Sequence, residues 1–235
     1  MASTTLDVAG AVAAARARIA AAAERAGRDP AAVRLVAVSK TVAPERVAEA
    51  LAAGVTDLGE NRVQEAVAKR PQLPEGVRWH MVGHLQTNKA ARAAATFAVV
   101  HSVDSVRLAE LLAARRPVGL GDLEVLLEVE LTGLPGHTGF APGDLGEAVE
   151  AIGGLDGLRL RGLMTMAPPV ADPEQARPAF AGLRRLRDEV EQRGGVALPE
   201  LSMGMSDDYE VAVEEGATVV RLGRAIFGER PPRVP

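Results

Sequence analysis

The stretch LVAVSKT, residues 35–41, ends an apolar run on a lysine, a residue type that this chain rarely uses. Three of the 27 basic residues are lysines, and the remaining 24 are arginines. A neutral lysine amine can attack an aldehyde and form a Schiff base, which a guanidinium cannot do because it stays protonated in proteins. Side chains alternate along a strand, so Val36, Val38 and Lys40 share one face, and partial burial there would favour the neutral amine. Lys40 is therefore a candidate for imine chemistry, and an exposed lysine at a strand-to-loop junction is the alternative.

Two turns rich in small residues could hold a phosphate group. In LSMGMSDD, Ser202 and Gly204 share a strand face, and a turn that leads into a helix presents backbone N–H groups. In VVRLGRAIFG, the backbone N–H groups of Gly223 and Arg224 could serve the same purpose. The alternative for the first turn is an ordinary capped connection to the next helix.

Further polar or adaptable side chains follow predicted strands. A buried Arg221 needs an acceptor, because an unpaired buried charge is very costly, and a ligand heteroatom or a carboxylate such as Glu130 would serve. Asn61 could bind a ligand or cap the next helix, and His84 could contact a ligand. Met164 could flank a flat ring, although methionines commonly fill gaps in cores.

Composition excludes several kinds of site. The 235 residues include no cysteine, so disulfides, thiolate metal ligands and cysteine nucleophiles are absent. A net charge of −4 and 3% aromatic residues disfavour nonspecific nucleic-acid binding. No segment approaches the roughly 18 apolar residues of a membrane helix, so we expect a cytoplasmic protein with no membrane partner. His80 and His84 would suit zinc only on a helix, whereas their segment has the pattern of a strand, and we expect no metal.

Regularly alternating elements must position these residues. Short apolar or β-branched runs alternate with longer stretches of helical pattern, which is typical of a parallel sheet. The predicted strands are Leu35–Lys40, Thr56–Glu60, Arg78–Gly83, Ala98–Val103, Glu124–Leu131, Leu158–Met166, Glu200–Met205 and Thr218–Gly223. The predicted helices between them are Pro44–Ala53, Arg62–Lys69, Thr87–Ala95, Ser105–Arg115, Asp144–Ile152, Asp172–Arg193 and Asp207–Glu215.

Eight strand–helix units in a chain of this length predict an α/β fold, a single (β/α)8 TIM-type barrel. An open doubly wound sheet is the alternative, but no GxGxxG turn follows the first strand. We expect one domain over residues 1–235, with an extra N-terminal helix at 7–27, the barrel at about 33–228 and a disordered tail at 230–235. A barrel would bring the candidate residues together, because its functional residues lie at the carboxyl ends of the strands.

Six motifs in order, VSKT, LGENRVQE, WHMVGHLQTNK, GLMTMAPP, LSMGMSDD and VRLGRAIFG, resemble the pyridoxal phosphate homeostasis protein family, which is related to the barrel domain of alanine racemase. The resemblance runs from about Leu35 to Arg230. It implies a barrel of pyridoxal phosphate fold type III with pyridoxal 5′-phosphate (PLP) held as a Schiff base on Lys40. It also implies Arg221 opposite the pyridine nitrogen, where a permanent cation would weaken the ring as an electron sink. The implied cofactor contacts are Asn61, His84, Met164, Ser202, Met203, Gly204, Gly223 and Arg224, with Ser202, Gly204, Gly223 and Arg224 at the phosphate.

The resemblance favours a PLP carrier or regulator of vitamin B6 and amino-acid balance, without robust turnover. It would be a monomer, with PLP-dependent apoenzymes as recipients. A PLP-dependent racemase with weak activity is a second hypothesis, and a lysine Schiff-base aldolase that needs no PLP is a third. Racemisation needs an acid or base on each face of the substrate, and Tyr209 is the one tyrosine in the chain. The segment LEVELTGLPGHT departs from the family pattern, which leaves open the roles of Glu130 and of the loop around His137.

Overall fold

Eight parallel strands close into a barrel in the computed structural model, which describes residues 6–134 and 138–229. Each strand pairs with the next in chain order, and β8 returns to pair with β1. The predicted tail at 230–235 and His137 lie outside the described residues. The strands are β1 Arg34–Val38, β2 Asp57–Glu60, β3 Arg78–Met81, β4 Val99–Val103, β5 Leu123–Glu128, β6 Leu158–Met164, β7 Glu200–Ser202 and β8 Val219–Leu222. The closed parallel sheet confirms the predicted barrel.

Helices follow the strands and cover the outside of the barrel. The helices are α1 Val8–Arg25, α2 Pro44–Ala52, α3 Val63–Lys69, α4 Ala90–Thr96, α5 Val106–Ala114, α6 Leu145–Gly153, α7 Arg177–Gly194, α8 Tyr209–Glu214 and α9 Arg224–Phe227. The one-turn helix α9 was not predicted, because four residues are too few to show a helical period. The strands end up to three residues earlier than predicted.

Helix α1 is the extra N-terminal helix that the sequence predicted, and it packs against α2, α8 and α9. Its N-cap Asp7 accepts a hydrogen bond from the Gly10 backbone N–H at 3.0 Å. Its buried face includes Val12 and Ile19, which lie seven residues apart and hence on one side of a helix. Ion pairs between its exposed arginines and the acidic residues of α8 add to this contact.

A closed ring of alternating charges surrounds the N-terminal end of the barrel. Each arginine of this charge ring lies between two acidic side chains, at N–O distances of 2.6–3.9 Å. Because every member has an opposite charge on both sides, the half-buried arginines and the mostly buried carboxylates compensate one another. In order around the barrel, the charge ring is Asp57, Arg34, Glu200, Arg161, Glu124 and Arg78.

Strand alternation divides the remaining side chains between two buried regions. Outward-facing residues such as Ala37 and Leu58 join the large core between the sheet and the helices. Inward-facing Val99, Leu126 and Met164 form a small separate cluster inside the barrel. Among the described residues, no helix combines the length and the apolar character needed to cross a membrane.

Candidate functional site

A cavity of about 340 Å³ opens at the carboxyl end of the barrel. Its walls come from the ends of β1, β2, β3 and β8 and from the loops that follow β6 and β7. We call it the mouth cavity, and it is lined by Val38, Lys40, Asn61, Val82, Met166, Ala167, Pro168, Pro169, Val170, Met205, Ser206, Asp207, Asp208, Arg221, Gly223 and Arg224. Five of the predicted site residues therefore meet here: Lys40, Asn61, Arg221, Gly223 and Arg224.

The backbone that carries Lys40 is held from behind by a buried ion pair. Lys69 on α3 donates to the carbonyl oxygen of Ser39 at 2.5 Å and to Glu60 Oε1 at 2.7 Å. The Ser39 hydroxyl donates to the same carboxylate oxygen at 2.6 Å. Burial raises the pKa of Glu60, although the hydrogen bonds from Lys69 and Ser39 act in the opposite direction. Since three polar groups bind around the residue before Lys40, the base of the lysine side chain is fixed.

A strained residue follows Lys40 directly. Thr41 has a φ of 62°, a left-handed conformation that is unusual for a β-branched residue. Its backbone N–H donates to Glu65 Oε2 at 2.9 Å, and its hydroxyl donates to the Lys40 carbonyl oxygen at 2.6 Å. These bonds hold the sharp turn in which the chain leaves β1, while the half-buried Lys40 lines the mouth cavity beside Val38.

Arg221 is a buried cation at the base of the mouth cavity, 5% exposed. Its Nη1 donates to the carbonyl oxygen and to the hydroxyl of Ser202, and its Nη2 donates to the carbonyl oxygen of Thr165, at 2.6–2.9 Å. Burial lowers the pKa of Arg221 to about 10, and the charges of Asp208 and Glu128 oppose that shift. The guanidinium therefore stays charged at neutral pH and is held by neutral oxygens.

Glu130 is not the hydrogen-bond partner of Arg221 that the sequence suggested. Its carboxylate accepts from the backbone N–H groups of Thr132 and Gly133, each at 2.8 Å, and from the Thr132 hydroxyl. It lies beyond the end of β5, where the chain has already turned, so it stabilises its own loop.

The three predicted contacts in LSMGMSDD lie outside the mouth cavity. Ser202 is fully buried inside the barrel, where its hydroxyl contacts Arg221 and His101. Met203 faces outward into the large core. Gly204 has a φ of +91°, and a Cβ there would lie 2.9 Å from the Tyr209 Cα. The glycine is therefore needed because α8 packs closely against it. The sequence analysis had instead placed a phosphate at Gly204.

Ser206 is the residue of this motif that lines the mouth cavity, and sequence reasoning missed it. Its hydroxyl accepts from the Ala225 backbone N–H at 3.1 Å, so it connects the loop after β7 to α9. Strand alternation could not identify Ser206, because β7 ends four residues earlier, at Ser202. The sequence signal that could have identified Ser206 as a site residue is its position, as a small hydroxyl residue directly before two aspartates.

Met164 and His84 also lie away from the mouth cavity. Met164 is buried one layer deeper inside the barrel, and Met166, two residues later, lines the cavity instead. His84 is half-exposed, with its Nδ1 3.2 Å from Asp104 Oδ2. His80 is buried and hydrogen-bonded inside the barrel. Among the described residues, no group of three or more His, Cys, Asp or Glu is arranged to hold a metal ion.

Two adjacent aspartates border the mouth cavity in different ways. Asp207 forms an ion pair with Arg224, which also contacts Glu229 at 3.3 Å. Asp208 precedes α8 and accepts from the Met205 backbone N–H at 2.6 Å. Burial raises the pKa of Asp208. Both aspartates line the mouth cavity.

Glu128 is a buried carboxyl group at the end of β5, 3% exposed. Burial raises its pKa to about 7, the negative charge of Asp104 adds to the shift, and Arg221 opposes it. Its Oε2 lies 3.5 Å from the Thr138 hydroxyl. Glu128 is thus a group near Arg221 that changes charge close to neutral pH, and its role was not predicted.

Comparison with known proteins identifies what this chain is similar to. Residues 11–231 match the family model of the alanine racemase N-terminal domain. A Pseudomonas aeruginosa protein named pyridoxal phosphate homeostasis protein is 47% identical over 215 residues, which cover 91% of this chain and 92% of that relative. An Aquifex aeolicus protein of the same name is 44% identical over 214 residues, which cover 91% and 94%.

Solved structures share the barrel. PipY of Synechococcus elongatus, solved with PLP bound, has a TM-score of 0.79 at 40% identity, covering 89% of this chain and 100% of its own. Alanine racemase of Clostridium difficile has a TM-score of 0.70 at 16% identity, covering 92% of this chain and 56% of its own. The second likeness shows the fold alone.

Proposed function

We propose that this chain, which belongs to the pyridoxal phosphate homeostasis protein family, binds PLP in the mouth cavity with Lys40 as the point of covalent attachment. The observation that carries the proposal is the meeting of Lys40, Arg221, Gly223 and Arg224 at one cavity. PLP presents an aldehyde, a pyridine ring and a phosphate. The cavity offers an amine, a fixed cation, and backbone and guanidinium donors to match them. PipY, 40% identical to this chain, was solved with PLP bound, which supports PLP as the ligand.

The wall around Gly223 fits a ligand that approaches the backbone closely. A Cβ at Gly223 would meet its nearest protein neighbour, the Val38 carbonyl oxygen, at 3.4 Å, which is ordinary contact. Packing within the protein therefore leaves room beside this glycine, and that room belongs to the cavity. We assign the phosphate to the backbone N–H groups of Gly223 and Arg224 and to the Ser206 hydroxyl.

Ser202 and Gly204 support the site indirectly in this assignment. Ser202 contacts Arg221, and Gly204 lets α8 pack against the turn that carries Ser206. Met166 replaces Met164 as the methionine beside the ring. Asn61 stays a ligand contact, because it lines the mouth cavity and α3 starts without a side-chain cap from its N-cap residue.

A carrier or regulator of vitamin B6 and amino-acid homeostasis is the function that these residues support best. Bound PLP supplies an electron sink when its pyridine nitrogen is protonated. Arg221 stays charged and would hold that nitrogen unprotonated, so we expect no robust turnover. The protein would act as a cytoplasmic monomer that passes PLP to PLP-dependent apoenzymes.

A weak racemase is the second candidate, and the position of Tyr209 disfavours it. Tyr209 is buried in α8 with its ring centroid 5.4 Å from the Arg18 guanidinium, outside the lining of the mouth cavity. It is therefore in no position to serve as the second acid or base of a two-base racemisation. Multiple turnovers of D- or L-alanine, at about one per second or faster, would overturn the carrier assignment. The aldolase remains an alternative that predicts a colourless protein even after PLP is added.

Absorbance of the purified protein with added PLP tests the proposed function. We expect a band at the blue edge of the visible spectrum that borohydride removes. Lys40→Ala should lose this covalent signal but keep some noncovalent affinity for PLP, because the phosphate contacts remain. An unchanged borohydride reaction in Lys40→Ala would move the attachment to Lys69 or Lys89. For Arg221→Glu we expect a shifted absorption maximum, and an identical spectrum would remove Arg221 from the pyridine nitrogen.

A further inference from the structure

A continuous chain of hydrogen bonds crosses the inside of the barrel, from the charge ring to the mouth cavity. Asp57 Oδ1 lies 2.8 Å from His80 Nε2, and His80 Nδ1 lies 2.9 Å from His101 Nε2. His101 Nδ1 lies 2.7 Å from Ser202 Oγ, which accepts from Arg221 Nη1 at 2.6 Å. All five residues are buried, and they come from five different strands: β2, β3, β4, β7 and β8.

The charge states of the buried groups determine which partner donates in each of these hydrogen bonds. Burial would raise the pKa of Asp57, but hydrogen bonds from His80 and Thr56 outweigh it and the net shift is downward, so the carboxyl group is ionised. Burial lowers the pKa of His80 and of His101, and for His101 the charges of His80 and Arg221 act in the same direction. Both imidazoles are therefore neutral at neutral pH, and each carries one N–H.

One arrangement of protons satisfies all these bonds. The ionised Asp57 can only accept, so His80 donates from Nε2 and is left with Nδ1 as an acceptor. His101 must then donate from Nε2 to His80 and accept at Nδ1. The hydroxyl proton of Ser202 is the donor to that Nδ1, so the serine oxygen turns its lone pairs toward Arg221.

We propose that Asp57, His80 and His101 are positioning residues that act through Ser202 on Arg221, and we call this set the interior relay. The interior relay holds the Ser202 oxygen as an acceptor for the buried guanidinium. Arg221 is thereby kept in place with a neutral oxygen as its contact, and its charge stays directed at the ligand. If the relay ran in the opposite direction, the Ser202 oxygen would have to accept from both His101 and Arg221, and its hydroxyl proton would have no acceptor in this series of hydrogen bonds. The effect on PLP rests on the proposed function, whereas the proton order and its effect on Arg221 do not.

Nuclear magnetic resonance of the ligand-free protein tests the proton order. Long-range proton–nitrogen spectra distinguish the two neutral tautomers of histidine from imidazolium. We expect His80 and His101 to be neutral Nε2–H tautomers at neutral pH, with signals that stay constant from about pH 7 to about pH 8. The variant His84→Gln helps to assign the His80 and His101 signals, because it removes the signals of His84. An Nδ1–H tautomer or an imidazolium at either position would overturn the proposal.

A pair of matched substitutions in the charge ring tests the connection to Arg221. Asp57→Asn removes the charge that orients the relay, and Glu200→Gln removes the same charge from another buried ring member that does not contact a histidine. For Asp57→Asn we expect a second histidine tautomer and the loss of slowly exchanging guanidinium protons of Arg221. Glu200→Gln should retain both wild-type signals. Equal effects of the two substitutions, or no effect of Asp57→Asn, would overturn the proposal.

Ser202→Ala and Ser202→Thr provide a test that does not depend on how well Asp57→Asn folds. The threonine keeps the hydroxyl and should restore the slowly exchanging Arg221 protons that the alanine loses. With PLP bound, we expect shifted absorption maxima for Asp57→Asn and Ser202→Ala, and wild-type maxima for Glu200→Gln and Ser202→Thr. Failure of the wild-type protein to bind PLP would refute the proposed function alone, because the resonance measurements need no ligand. Wild-type maxima in all four variants would refute the action of the relay on the bound ligand.

Discussion

The Lys69 ammonium donates to the carbonyl oxygen of Ser39 across 2.5 Å, directly before the lysine that lines the mouth cavity. The same ammonium contacts Glu60, whose carboxylate is fully buried. The chain's three lysines thus include one that lines the mouth cavity and one that fixes the backbone beneath it. Arginine would be too large and too planar to repeat the compact contacts of Lys69.

We predict that Lys69→Met destabilises the protein by about 3–5 kcal/mol, because it leaves Glu60 buried and without its cation. It should also reduce PLP attachment, since the backbone before Lys40 loses its anchor. Urea denaturation and borohydride trapping measure the two effects. Lys89→Met is the matched control and should change neither. The double variant Lys69→Met with Glu60→Gln should recover part of the stability, and a double variant less stable than the single one would contradict this account.

We predict that Glu128 makes stability depend on pH. Its pKa in the folded state is raised to about 7, above the unfolded value of 4.5. Its contribution to the free energy of unfolding is therefore fully present below about pH 4.5 and is lost as the pH rises through about 7. Glu128→Gln removes this loss. The variant should be more stable than wild type by about 1–3 kcal/mol at about pH 8, and the difference should shrink at about pH 5. Urea denaturation at both pH values measures it. Exposed Glu150→Gln is the control, and a Glu128→Gln difference that is independent of pH would argue against a raised pKa.

We predict that Asp207→Asn strengthens binding of PLP. Asp207 forms an exposed ion pair with Arg224 and competes there with an incoming phosphate. Because exposed ion pairs are weak, the gain should be about two- to fivefold in affinity. A fluorescence or absorbance titration with PLP measures it. Glu229→Gln removes the other carboxylate that contacts Arg224 and lies outside the lining of the mouth cavity, so its effect should be smaller. Weaker binding by Asp207→Asn would mean that Asp207 positions Arg224 for the ligand.

We predict that opening the charge ring costs stability. Arg161 lies between Glu124 and Glu200, so Arg161→Ala leaves two mostly buried carboxylates with one cation fewer. The loss should be about 1–3 kcal/mol by urea denaturation. Arg159→Ala is the control on the same strand, because Arg159 is exposed and contacts Asp122 at 3.9 Å, and it should cost under about 0.5 kcal/mol. Equal losses in the two variants would show that the ring adds nothing beyond an ordinary surface pair.

Strand alternation predicted which residues face the inside of the barrel, but not how deep each one lies. Lys40 and Arg221 were predicted at the cavity and lie there. Ser202 of β7 and Met164 of β6 also point inward, but they lie in a layer below the cavity. The two residues are paired with each other in the register of the sheet. Depth depends on the stagger between neighbouring strands, which is a property of the closed sheet and has no local signal in the sequence.

The interior relay could not be predicted from the sequence, for a related physical reason. The sequence placed His80 on a strand, but it did not show the hydrogen-bond partners of its ring. Its partner His101 lies 21 residues away, and Ser202 lies a further 101 residues along the chain. Neutral hydrogen-bond partners have no required spacing, so only the closed barrel brings them together. The role of Ser206 escaped prediction because it lies in a loop, where the two-residue period of a strand does not apply.

Peptide mapping by mass spectrometry after borohydride treatment of the PLP-loaded protein tests the central claim most directly. Reduction converts a lysine–PLP linkage into a stable secondary amine. The account predicts one modified peptide, the one that contains Lys40, and none in Lys40→Ala. Modification of Lys69 or Lys89 instead, or an unmodified chain after treatment with excess PLP, would contradict it.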